Sequence, residues 1–273
     1  MDGVVDYGRF AQRLAACTDR AGRWALLAQF EREWGVTPQP SEIFSWIDDL
    51  VDEDLEGVDA HLPVPAALDE WLRLPATSYT DEPHLYWSYL IYPPRVEEDE
   101  DDDLEPDDPI LAGATDLRMV RFLGRAFSDS RWGYPAALAG QADPPVVHSD
   151  LSPGSVQSRS LSEFVVHLAV MRLPWRHGFA IEVPQTTPEL DAALDGAGLP
   201  QLGLPPWEED GYWSVEVYGA PDAIVYRYPG EVVWAVGRTR QALRDLAARI
   251  DPGWKPEITA AHERDERHPS LRH

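Results

Sequence analysis

The amino-acid sequence predicts a mixed fold in which helices bury apolar faces against a small sheet, and three observations carry that reading. The stretch from Thr115 to Val147 opens with alternation: Leu117, Met119 and Arg121 point one way, Arg118, Val120 and Phe122 the other. That two-residue period is the strand signature, with apolar character on both faces. Segments with apolar residues three and four apart lie before and after it, as helices require. Three more alternating runs, WSVEVYG, AIVYRY and EVVWAVG, begin past Trp207. A helix with one apolar face must bury it against another element, so the helical segments call for the sheet.

Tyr7, Phe10 and Leu14 mark a first helix, and Leu27, Phe30 and Trp34 a second that Gly35 closes. Cys17 falls between them and reads as an inert, half-buried thiol. Ile43, Phe44, Ile47 and Leu50 fit another amphipathic turn or two, and the acidic run after them reads as a solvated face. In LPVPAALDEWLRL, Leu68, Trp71 and Leu72 share a helix face, with Pro65 in the opening turn and Pro75 past the end. HLYWSYLIYPP has strand composition. Residues 97–108 follow, with 10 of 12 positions acidic, and self-repulsion makes them a loop. A calcium loop would need a glycine at its sixth position, which is missing.

The Thr115–Val147 stretch reads as a hairpin that turns at Ser128, Asp129 and Ser130, with Trp132-Gly133 on its second arm. A loop from Ala139 to Pro145 and a short return strand complete it. In SRSLSEFVVHLAVMRLPW, Ser160 and Glu163 make a capping-box pattern, and Leu161, Phe164, Val165, Leu168 and Met171 form an apolar stripe. Pro174 is expected to stop this helix, and His167, at the edge of the stripe, reads as structural. FAIEV is a short strand and ELDAALDGAG a weak helix. The last two alternating runs turn at Pro229-Gly230. In RTRQALRDLAARI, Leu243, Leu246, Ala247 and Ile250 share a face, and Asp251-Pro252-Gly253 stops the helix. The charged end, residues 261–273, reads as a flexible tail.

At 273 residues the chain is long enough for one large domain or two small ones. The 48 acidic and 23 basic residues leave a net charge of −25. Such a chain repels phosphates and anionic membranes at long range, which sets both aside as ligands and favours basic partners. Lys255 is the only lysine, and the single cysteine excludes an internal disulfide framework or a cysteine-rich zinc site. No leader-like segment and no apolar run near membrane length is present, so a cytoplasmic location is expected.

No nucleophile elbow, Walker loop, dinucleotide fingerprint or His-Glu-x-x-His motif occurs. His148 and Asp150, two apart, share a strand face but lack a third ligand. The Ser128, Asp129 and Ser130 turn has no histidine near it in sequence. The expectation is therefore a protein that is not an enzyme, with no catalytic residue, cofactor or metal.

Five pieces, in this order, resemble the SMI1/KNR4 (SUKH) superfamily. They are FEREWGV at Phe30 to Val36, an LPxxLxxWLxL-like helix at Leu62 to Leu74, and a hairpin ending in Trp-Gly from Arg118 to Gly133. DPPV at Asp143 to Val146 and SLSEF at Ser160 to Phe164 complete the set. EVVWAVGRTRQALRDL, with Trp254 after it, is similar to the tail of longer actinobacterial members. The chain departs from the family before the Trp-Gly turn. Members often have a Glu-Asn-Gln-like triplet there, this chain has Ala126-Phe127-Ser128-Asp129-Ser130, and no role of the triplet is carried over.

The resemblance implies an α+β fold, a twisted, mainly antiparallel sheet with helices packed around it. The expected organisation is an N-terminal helical extension (1–22), a SUKH-like core (23–175) with the acidic run as an insertion, a strand-hairpin-helix extension packed on the core (176–260), and the tail. It also implies a protein-binding role, most often as an immunity protein that neutralises a cognate toxin, frequently a nuclease. The expected contact residues are Glu97, Glu98, Asp99, Glu100, Asp101, Asp102, Asp103 and Asp129, with Trp132 and Tyr134, and also Tyr86, as aromatic anchors. For Trp132 a place in the core is the competing reading. The alternatives are a regulatory scaffold with an acidic docking loop and an unrecognised metal-dependent hydrolase.

Overall fold

The computed structural model describes residues 3–35, 62–74, 85–87, 115–116, 118–125, 131–148, 155–176, 178–205, 207, 215–228, 230 and 232–260. The chain divides into two compact units. One takes Pro38–Leu168 with Glu208–Tyr212; the other takes Met1–Thr37, Ala169–Trp207 and Trp213–His273. The N-terminal residues therefore do not form an extension ahead of a 23–175 core. They belong with the C-terminal sheet, and the division falls inside a helix, after Leu168.

The first unit is an antiparallel meander. Strands β1 (Leu85–Trp87), β2 (Met119–Arg125), β3 (Arg131–Pro135), β4 (Val146–His148) and β5 (Ser155–Ser158) pair in chain order. The alternation read from the sequence holds as far as Arg121, which lies opposite Gly133; Leu123 then lies opposite Trp132. Phe122 is the extra residue of a β-bulge, which re-aims its side chain. Its ring stacks on Tyr134 at 6.3 Å and meets Trp71 and Phe164 edge-on at 5.9 and 5.5 Å.

Trp71 comes from the helix read in LPVPAALDEWLRL, which spans Ala66–Arg73 and follows Pro65. Its amide at Ala67 donates to the carbonyl of Ala142, 2.8 Å away, which ties that helix to the loop before β4. Leu68, Trp71 and Leu72 are all buried, as their spacing predicts.

The second unit has the sheet order β10-β6-β9-β8-β7. Its strands are β6 (Phe179–Val183), β7 (Glu216–Ala220), β8 (Ala223–Arg227), β9 (Val233–Gly237) and β10 (Thr259–Ala260). All described strand pairs in both sheets are antiparallel. The α+β class therefore stands, with the strands shared between two sheets.

In chain order the helices are α1 (Phe10–Ala15), α2 (Arg20–Trp34), α3 (Ala66–Arg73), α4 (Leu161–Arg176), α5 (Pro188–Gly196) and α6 (Arg240–Ile250). Side-chain caps start four of them, with Asp19, Ser160, Thr187 and Thr239 accepting from the backbone amides of Gly22, Glu163, Leu190 and Ala242. Gly35, at φ 68°, closes α2 in the left-handed conformation expected of it.

On one face of this sheet, Ile181, Val225 and Ala235 pack with Leu194 of α5 and with Leu243, Leu246, Ala247 and Ile250 of α6. On the other face Tyr7 crosses β7 so closely that a Cβ on Gly219 would lie 2.3 Å from the Tyr7 carbonyl. Tyr7 continues into Phe30 and stacks on Trp34 at 5.4 Å, which builds α2 into the same core.

Helix α4 departs from its expected stripe. From Leu161 to Pro174 every residue except Glu163 is buried, including Ser162, His167 and Arg172. Pro174 does not stop the helix, which runs on to Arg176. Proline has no amide hydrogen, so it leaves the carbonyl four residues back without its helical donor. The hydroxyl of Tyr226 in β8 donates to that carbonyl, Val170.

Candidate partner-binding surface

Eight of the eleven expected contact residues, Glu97, Glu98, Asp99, Glu100, Asp101, Asp102, Asp103 and Asp129, lie outside the described residues, as do Asp150 and the Ser128–Ser130 turn. Tyr86 is in β1, and its side chain is outside the description too. Trp132 and Tyr134 are corrected. They do share a strand face, but it is the inner one, where their exposures are 0% and 1%. Trp132 lies against His148 at 5.3 Å and Phe164 at 6.3 Å. A ring with no exposed area offers a partner nothing to bind, so both are core residues.

Asp143 and the start of α4 form the best-built polar contact in this unit. The Asp143 carboxylate accepts from the Ser162 amide at 2.9 Å and from its hydroxyl at 2.6 Å. The Ser160 hydroxyl accepts from the Glu163 amide at 3.2 Å, the forward half of the expected capping box. DPPV and SLSEF are therefore in contact. Trp71, Phe122 and Trp132, from the other pieces of the resemblance in this unit, share one aromatic cluster with Phe164 of SLSEF. FEREWGV belongs instead to α2 in the second unit.

Burial pushes the His167 imidazole down to about 3, so it is neutral at physiological pH, as a structural histidine should be. Burial also raises the Cys17 thiol, which faces the carbonyls of Arg13 and Gly22 at 3.3 and 3.4 Å. A thiol held protonated in this way is a poor nucleophile. At the entry to β2, the Arg118 guanidinium grips both oxygens of Asp116 at 2.9 and 2.8 Å and holds that carboxyl below its usual range.

Two arginine networks in the second unit were not read from the sequence. Arg227 of β8 donates to Asp191 and Asp195 of α5 at 3.1 and 2.7 Å and lies 3.5 Å from Glu216 of β7. Arg238 donates to Asp222 at 2.6 Å, to the Glu33 carbonyl at 2.7 Å and to the Gly3 carbonyl at 3.2 Å. Asp222, at φ 54°, also accepts from the Val5 amide at 2.9 Å. Arg238 and Asp222 thus clasp the N-terminal segment to the β7–β8 turn. Glu33 lies over 200 positions from Arg238, and no local pattern announces such a pair.

Among the described residues no three His, Cys, Asp or Glu side chains are grouped to hold a metal ion, and no helix is long and apolar enough to cross a membrane. The chain matches no protein-family model, no curated protein and no solved structure.

Proposed function

We propose that the chain is an immunity-type protein of the SUKH kind, which binds a basic toxin domain in the cytoplasm and blocks its active site by occlusion. The observation that carries the reading is the charge. The net value is −25, and one run of 12 residues supplies 10 of those excess charges. A nuclease needs a basic surface for its phosphate substrate, and an acidic inhibitor is steered towards that surface. The α+β architecture and the contact between DPPV and SLSEF support the resemblance from which the immunity role comes. They are interior features, so they bear on the fold and leave the partner to the surface charge.

The test is capture from native lysate with tagged protein, washed at low and at high salt, followed by expression of the captured partner alone and together with this chain. The expected result is one basic partner, released by high salt, that is toxic alone and harmless when co-expressed. Several host proteins held equally at both salt concentrations, none of them toxic, would replace the reading with a scaffold role.

A further inference from the structure

We draw no further inference here: the strongest candidate, the acidic side-chain cluster that Asp191 and Asp195 of α5 and Glu216 of β7 build around Arg227, is accounted for by its own ion pairs, and nothing beside it points to a ligand.

Discussion

A buried imidazole makes stability depend on pH in a direction that can be worked out for His167. Its folded value is about 3, against 6.5 for the free side chain, and desolvation is the cause. Above pH 6.5 the group is neutral in both states and contributes no pH dependence. Below it the unfolded chain binds a proton that the folded chain refuses, so stability falls by up to roughly 1.4 kcal/mol per pH unit until the folded value is reached. Carboxylates add an acid dependence of their own, so the informative comparison is with His167→Leu. Urea midpoints at neutral pH and at about pH 5 should fall further in the parent than in the variant; equal falls would mean that the imidazole takes up its proton without unfolding. Gly219→Ala tests the contact with Tyr7. A methyl 2.3 Å from backbone atoms cannot be relieved by a side-chain rotation. Overpacking of this kind costs about 1–3 kcal/mol or more, and thermal unfolding should show a lower midpoint. The sequence signals neither depth nor approach: His167 reads as the edge of a stripe, and Gly219 as one more residue of a strand. Trp132 reads both as a partner anchor and as a core residue, because the side chains that bury its face come from α3 and α4, distant in the chain.

Helices and strands were legible where their causes are local. The Ser160 cap of α4, the glycine after α2 and the apolar faces of α3 and α6 all act within a few residues, and the structure has each of them. Pro174 reads as a helix stop for the same local reason, and it fails because a distant group compensates. With Tyr226 donating to the carbonyl that Pro174 orphans, the helix loses less by continuing. Tyr226→Phe should therefore cost about 1–3 kcal/mol, the penalty of a buried carbonyl left without a donor. Pro174→Ala supplies a backbone donor to the same carbonyl, so the tyrosine hydroxyl should matter less in that background. Denaturant unfolding of the two single variants and the double variant would check this; additive effects would show that Tyr226 does not substitute for the missing amide. The Asp143 cap of α4 is a similar long-range device, 19 residues from Ser162. Asp143→Ala is expected to destabilise by about 1–2 kcal/mol, with little further loss when Ser162→Ala is added.

The organisation of the whole chain was the least legible level, because it depends on which distant segments meet. The grouping of residues 3–35 with the C-terminal sheet rests on Arg238, Asp222 and Tyr7, and these contacts have no signature in spacing. Net charge is a property of composition and needs no fold to be read. It therefore yields the prediction that discriminates between the expected contact groups. Changing Glu97, Glu98, Asp99, Glu100, Asp101, Asp102 and Asp103 to Gln or Asn removes seven of the 25 excess negative charges. If these residues steer a basic partner, its association rate at low salt should fall by about tenfold or more, with a weaker salt dependence and a nearly unchanged dissociation rate. Trp132→Ala should behave in the opposite way, lowering stability by about 3–5 kcal/mol as a core truncation while leaving the steering charges in place. Association kinetics across a series of salt concentrations, measured with the captured partner and paired with thermal unfolding of each variant, separate the two effects. An unchanged association rate and salt slope in the neutralised variant would remove residues 97–103 from the binding surface and move the search to the acidic groups that remain.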